Sequence, residues 1–242
     1  MNVKDLKKLA IVMLLFLAIV YVYYYKNDKN YFNAFDKSYN LSLTKIKSFY
    51  ESIKEEKIYS QNKEDGVTLS LINFLGIKNG TFVEFGVGDG SETNTRILRE
   101  KYNWKGLMMD SSIDNLSINK HQEIISYSNI LNLFEKYKVD LNLDLFSEDT
   151  DYADYWIVEK VLTKYRPKIV IHEVNQQPPN LCVTVEKPNK IIYWDGTNYH
   201  GGSVCAFYCL AKKNRYTMVY CESRGVNCFW IRYILLVLFL IL

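Results

Sequence analysis

Between residues 67 and 174 the chain repeats one pattern, in which an amphipathic stretch of helical period is followed by a short apolar run. VTLSLINFLGI, NTRILREKY, NILNLFEKYKV and ADYWIVEKVLTKY carry the helical spacing, while TFVEFGV, WKGLMMD, EIISYS, LDLFSED and KIVIHEV read as strands. Strands separated by helices return in the same direction, so the sheet they form is largely parallel and the class is α/β. The end of the chain breaks the pattern. SVCAFYCLAKKNRY reads as a helix capped by Ser203, and the strands YTMVYCES and NCFWIR are separated only by RGV. A connection that short permits only an antiparallel hairpin, because a parallel return needs a crossover of a dozen residues or more. One strand of the sheet must therefore be reversed.

The strand TFVEFGV opens into three glycines, Gly86, Gly88 and Gly90. In an open α/β sheet a turn of this kind sits where ligands bind, beyond the carboxyl ends of the strands. Glycines there accept positive φ and let the backbone come close to a ligand, with amides at the next helix start free to donate. The spacing is GxGxG, since Ser91 stands where the nicotinamide fingerprint GxGxxG requires glycine. Asp110 ends the next strand, twenty residues after Gly90, placed to accept from ribose hydroxyls. The constellation points to a nucleoside ligand. Glu84, suited to a ligand ammonium, and the terminal hairpin shift it from a nicotinamide cofactor towards S-adenosylmethionine.

The stretch ExGxGxG at 84–90, Asp110 after the second strand and the terminal hairpin resemble class I S-adenosylmethionine-dependent methyltransferases. YSQNKEDG, FVEFGVGDGSETNTRILRE, WKGLMMD, LFSEDTDYADYWI, IHEVN and WDGTNYHGGS resemble, in that order, an FkbM-related group of methyltransferase-domain proteins. The resemblance covers residues 58–232. It implies a Rossmann-like, doubly wound, mostly parallel seven-stranded sheet. It also implies cofactor contacts from Glu84, Gly86, Gly88, Gly90 and Asp110, with Gln61 and Asn94 lining the same cleft. It names no acceptor.

Transfer of a methyl group to an alcohol needs alignment and a way to remove the hydroxyl proton, through a base or a metal. SEDTDYADYW places Glu148, Asp149, Asp151 and Asp154 after the fourth strand. Asp149 and Asp151 are the candidate catalytic groups, with Asp154 starting the following helix. Asp149, Asp151, Asp154 and Tyr155 also resemble the DxDxx(N/D)Y segment of cation-dependent O-methyltransferases, in which the first aspartate is a metal ligand. On that resemblance Asp149, Glu173 and Asn175 would hold a hard cation such as Mg²⁺. Tyr152 and the Glu-x-Asn pair depart from that pattern. Glu148 and Thr150 replace isoleucines common in the FkbM-related group, and a degenerate, noncatalytic binding or scaffold protein is the alternative reading. His172 sits mid-strand, where a hydrogen-bonded core residue is the expected role. The loop WDGTNYHGGS, with Trp194, Tyr199 and His200, suits either a polar acceptor lid or a glycine-rich turn.

The remaining features concern place and partners. Leu9–Tyr25 is an uncharged run of seventeen residues flanked by Lys4, Lys7 and Lys8, with four tyrosines at its far end. As a helix it covers about 26 Å, close to the hydrocarbon thickness of a bilayer, and no small-x-small cleavage site follows it. It reads as a signal-anchor with a cytoplasmic N-terminus and the domain on the far side. The expected organisation is an anchor at 1–25, a partly helical polar stalk at 26–57, the methyltransferase-like domain at 58–232 and an apolar tail at 233–242. A membrane-dipping tail, a buried terminal strand and an aberrant end of the reading frame all fit that tail. With a net charge of +3 and lysines interspersed among acids, nucleic acid is not an expected partner; a small-molecule or glycan acceptor is. Sequons at Asn40, Asn79 and Asn115 matter only in a lumenal domain. The five cysteines, at 182, 205, 209, 221 and 228, lack CxxC pairs and read as buried thiols.

Overall fold

The computed structural model describes residues 44–178 and 181–241. The contacts divide the chain into Met1–Tyr50 and Glu51–Leu242. In the first unit residues 44–50 are helical; the expected anchor and the upper part of the stalk lie outside the described residues. Among the described residues no helix is long and apolar enough to cross a membrane.

The second unit holds helices α1 (Glu64–Leu75), α2 (Arg96–Tyr102), α3 (Ile130–Lys136), α4 (Asp154–Leu162), α5 (Val204–Lys213) and α6 (Tyr233–Ile241). Its strands are β1 (Thr81–Phe85), β2 (Lys105–Asp110), β3 (Lys120–Gln122), β4 (Leu145–Glu148), β5 (Ile169–Glu173), β6 (Tyr216–Cys221) and β7 (Asn227–Arg232). They form one seven-stranded sheet in the order β3-β2-β1-β4-β5-β7-β6. The first five strands pair in parallel. β7 runs antiparallel to both β5 and β6, so the hairpin demanded by the short RGV connection is present.

Strand periodicity divides the side chains between two layers. Val83, Phe85, Phe146, Val170 and Trp230 face one core with Phe134 of α3, Ile157 and Val161 of α4, and Phe207 of α5. The alternate residue Glu84 faces the start of α2 through hydrogen bonds to Asn94 and Thr95. α1 buries Val67, Leu71 and Ile72, and its Glu64 accepts from Asn227 of β7 at 2.9 Å. The central strands are buried on both faces, as parallel strands require, and the polar Glu84, Ser147, Glu148 and His172 are buried with them.

Three expectations are corrected. EIISYS is not a strand; β3 is Lys120–Gln122, paired with Met108–Asp110 of β2. Ser126 and Asn129 exchange hydrogen bonds that turn the chain into α3, so the apolar Ile124 and Ile125 fall in the loop between them. Of the readings open for the apolar tail, the buried terminal strand is excluded: residues 233–241 form the helix α6, which leaves Tyr233, Ile234 and Leu238 half exposed. The cysteines are not all thiols: Cys182 pairs with Cys205 and Cys221 with Cys228, leaving Cys209 free and exposed. The second pair joins residues directly opposite each other on β6 and β7.

Candidate functional site

The carboxyl ends of β1, β2, β4 and β5 converge, and the glycine turn lies at their centre. Gly86, Gly88 and Gly90 take φ values of 64°, 52° and 85°, the left-handed region that side chains disfavour. A Cβ on Gly86 would lie 1.7 Å from the Asp149 carbonyl oxygen, so the turn packs directly on the backbone that leaves β4. Around Gly88 nothing lies within 4 Å of that position. The loop after β2 clips this turn from outside: Asp110 Oδ2 accepts from the Gly88 amide at 2.9 Å and Ser112 Oγ donates to the Gly88 carbonyl at 2.9 Å. Asp110 Oδ1 accepts from the Ser112 amide at 2.7 Å. Each Asp110 oxygen keeps a further lone pair for a ligand hydroxyl.

Glu84 does not face the cleft. Its carboxylate is buried and accepts from the Asn94 amide at 2.7 Å, the Thr95 amide at 3.1 Å and the Thr95 hydroxyl. Burial pushes it up to about 7 against these hydrogen bonds, which pull the other way. Its position ties β1 to the start of α2, which corrects the expected ammonium contact. Asn94 belongs to the same buried cluster, its Nδ2 donating to Ser147 Oγ at 3.2 Å. It is not among the residues lining the cavities described next.

A polar cavity of about 320 Å³ is lined by Gln61, Gly86, Val87, Gly88, Asp89, Ser91, Glu92, Asp149 and Asp151. A second, of about 130 Å³, shares Gly86, Asp149 and Asp151 and adds Asp110, Thr150 and the apolar Ile124, Ile125, Ile191 and Ile192. The two therefore meet at Gly86 and the two aspartates. Gln61 reaches the first cavity from a segment fixed by Asp65, a residue the sequence reading did not single out. Asp65 Oδ2 accepts from the amides of Ile58, Tyr59 and Ser60 at 2.8, 2.7 and 2.7 Å and from Ser60 Oγ at 2.8 Å. The spacing of an acid five residues after Ser60 in YSQNKEDG is the signal that identifies it. Asp65→Ala leaves three amides without that acceptor. It is expected to cost about 2 kcal/mol or more of stability and to weaken ligand binding through Gln61, as read by urea unfolding and calorimetry.

Carboxyl oxygens of Asp149, Asp151 and Glu173 lie within 4.8 Å of one another. Burial, then the charges of Asp154, Asp151 and Glu84, hold Asp149 well above the ordinary carboxylate range. Burial, then Asp149, Asp154 and Asp151, push Glu173 up to about 10. Asp151 itself takes φ 63°, a conformation that costs a non-glycine residue of order 1–3 kcal/mol and that clusters at functional sites. Three carboxylates at this separation do not all remain ionised without a proton or a cation between them. An all-oxygen donor set with the buried Glu173 Oε2 unpartnered fits a hard cation. The set differs from the expected one, because Asn175 is engaged elsewhere. Its Nδ2 donates to the carbonyls of Asn198 and His200 at 2.8 and 3.0 Å, and its Oδ1 accepts from the Gln177 amide. Asp151 takes its place.

The other two acids of the loop, Glu148 and Asp154, are held within it. Glu148 is buried and raised by that burial and by Asp154, and it accepts from Thr150 Oγ1 at 2.7 Å. Asp154 begins α4 and accepts from the Thr150 amide at 2.8 Å, closing the acidic loop on itself. His172 is stacked on Phe207 with ring centroids 3.9 Å apart, and burial holds it down to about 3, so it is a neutral core residue. Trp194 and Tyr199 are exposed, and Tyr199 OH accepts from the Glu186 amide at 2.8 Å. Tyr199 and His200 line a separate cavity of about 130 Å³ with Asn175, Thr184 and Ser203, not the one lined by the aspartates.

No protein-family model matches the chain, and no curated protein matches it. Among solved structures it is similar to a small RNA methyltransferase, at 14% identity and TM-score 0.37, over 68% of this chain and 24% of that one. It is similar to an O-methyltransferase family protein from Burkholderia thailandensis, at 10% identity and TM-score 0.38, over 81% and 69%. It is also similar to magnesium protoporphyrin IX methyltransferase from Synechocystis PCC 6803 with bound SAH, at 10% and 0.36, over 89% and 99%. The chain thus spans about a quarter of the first. These likenesses concern sheet architecture alone.

Proposed function

We propose that this is an S-adenosylmethionine-dependent O-methyltransferase of the FkbM-related kind, acting on a small polar or glycan-like hydroxyl acceptor. The observation that carries the reading is the shared wall of the two cavities, where the positive-φ glycine turn and the aspartates after β4 meet. A polar cavity bordered by Asp89, Glu92, Asp149 and Asp151 favours a cationic ligand over a phosphate-bearing one. The space beside Gly88 fits a ligand that approaches the backbone closely. Bound S-adenosylmethionine supplies an electrophilic methyl group. The chain's part is to orient it through Gly86, Gly88 and Asp110, and to take the acceptor proton on Asp149 or Asp151. Asp149, raised by burial and by the neighbouring acids, is a stronger base than a free carboxylate, which suits that task. Asp149, Asp151 and Glu173 are the residues that would hold Mg²⁺, which would lower the acceptor hydroxyl pKa.

Titration calorimetry of the full chain with S-adenosylmethionine, with and without Mg²⁺ and chelator, tests cofactor and cation together. Binding is expected; stabilisation by NADH and not by S-adenosylmethionine refutes the reading. The inward turn of Glu84 favours a second reading, a binding or scaffold protein on this fold, and tight cofactor binding with no turnover on any acceptor would support it.

The same proposal places residues 9–25 in a membrane and the domain on its non-cytoplasmic side. Two cysteine pairs suit an oxidising compartment, and the sequon residues Asn79 and Asn115 are exposed. A mobility shift on glycosidase treatment, lost in the Asn40→Gln, Asn79→Gln, Asn115→Gln triple variant, is the expected result.

A further inference from the structure

We propose that Cys182, Cys205 and Cys209 form a thiol–disulfide exchange site, in which the free thiol moves the tether of the segment before α5 by one helical turn. The Sγ atoms of the three residues lie within 4.8 Å of one another. Cys182 and Cys205 are bonded across 23 residues with Cα atoms 4.7 Å apart, and Cys209 is free. Cys205 and Cys209 are four apart on α5 and so share one face of the helix. Cys182 and Cys209 are exposed residues and Cys205 is half-buried. The Cys221–Cys228 pair offers no such arrangement, with Cys228 fully buried and, among the described residues, no third cysteine grouped with it; its sulfur neighbour is the unreactive thioether of Met218.

The step is an isomerisation. The Cys209 thiolate attacks Cys182 Sγ, the Cys182–Cys205 bond breaks as the Cys182–Cys209 bond forms, and the electron pair leaves on Cys205, which takes up the proton Cys209 has lost. One disulfide and one thiol stand on each side, so no oxidant or reductant is consumed.

Moving the attachment by four residues shifts it about 6 Å along the helix. The present register is fixed by Val183 donating to Ser203 Oγ at 3.1 Å, Ser203 donating to the Val183 carbonyl at 2.9 Å and Val185 donating to the Gly201 carbonyl at 3.0 Å. Drawing Cys182 towards Cys209 pulls against these bonds. Ser203 also caps α5, accepting from Ala206 at 3.2 Å. Gly201 in turn donates to the Tyr152 carbonyl at 3.0 Å, beside Asp151. Exchange therefore loosens the loop that carries the aspartates. Its effect on turnover rests on the methyl-transfer reading; the sulfur chemistry does not.

The test is non-reducing peptide mapping of the full chain, held without reductant at about pH 8.5, near the ordinary thiol pKa, then acid-quenched and alkylated. Wild type is expected to yield both 182–205 and 182–209 linkages, with alkylation divided between Cys209 and Cys205. Cys205→Ser is expected to form the 182–209 linkage under mild oxidation, and Cys209→Ser to show 182–205 alone. A Cys205→Ser protein that keeps its 221–228 linkage while Cys182 and Cys209 are both alkylated overturns the exchange site. Turnover that is equal in Cys205→Ser and Cys209→Ser overturns the regulatory role. Failure of wild type to bind S-adenosylmethionine would remove the methyl-transfer reading and leave the mapping result standing.

Discussion

Gly86→Ala is expected to lower the stability of the domain by about 2 to 5 kcal/mol, while Gly88→Val leaves it folded and removes cofactor binding. The two glycines share a conformation and differ in surroundings. At Gly86 the added Cβ meets the Asp149 carbonyl at 1.7 Å, a backbone atom that cannot rotate away. Left-handed strain of about 1–2 kcal/mol then adds to an overpacking cost of about 1–3 kcal/mol. Against a total stability of order 5–15 kcal/mol this is a large fraction. Gly88 carries the strain alone, because nothing stands within 4 Å, and a valine there fills the space proposed for the ligand. Urea unfolding and calorimetry on both variants separate the effects. An unchanged unfolding midpoint for Gly86→Ala would contradict the close packing of β1 on β4. Undiminished S-adenosylmethionine binding by Gly88→Val would remove the turn from the cofactor site.

Asp149→Asn is expected to reduce methyl transfer by at least about 100-fold, the range for loss of a general base, with cofactor affinity changed only a few-fold. Its near neighbour Glu173 gives an independent reading of the same cluster through pH. Burial and the charges of Asp149, Asp154 and Asp151 push Glu173 from the ordinary carboxylate value of 4.5, which it keeps in the unfolded chain, up to about 10 in the folded one. Between those values the folded chain holds a proton that the unfolded chain has lost, so stability is complete below 4.5 and falls as pH rises towards 10. Glu84 adds to the fall over the narrower window from 4.5 to about 7. Glu173→Gln should therefore flatten the dependence of melting temperature on pH and raise it at pH 8. Millimolar Mg²⁺ should raise the wild-type value there and affect Glu173→Gln less. A variant whose melting follows the wild-type curve across that range would show that the repulsion is relieved elsewhere.

Of the parallel strands, β1, β2, β4 and β5 were legible because each combines an apolar run with a flanking helix of clear period, and the reversed β7 because a three-residue connection admits one geometry. β3 was illegible for the opposite reason. Lys120-His121-Gln122 has no apolar signal and is a strand only because β2 offers it a hydrogen-bonding edge, whereas Ile124 and Ile125, which carry the signal, are turned into a loop. At the site, glycine spacing located the turn, since positive φ leaves a compositional trace. The direction of Glu84 left none, because an acid before a glycine turn reads the same whether it meets a ligand or the amides of the next helix. Asn175 was misassigned to the cation set because the carbonyls that occupy its amide lie 23 and 25 residues away. The pairing of Cys182 with Cys205 was hidden for the same reason: the segment 182–185 meets residues 201–203 only through tertiary bridging.

The sheet order has a consequence for how the chain assembles. β7 is the last strand in sequence, yet it is inserted between β5 and β6. Until residues 227–232 are available, β5 is an open edge formed by Ile169, Val170 and Ile171, all fully buried in the finished sheet. A nascent chain must carry that sticky edge through the synthesis of more than fifty further residues. Truncation before β7 should therefore yield aggregates, not a smaller soluble domain, and the interval before closure is when a chaperone has the most to protect.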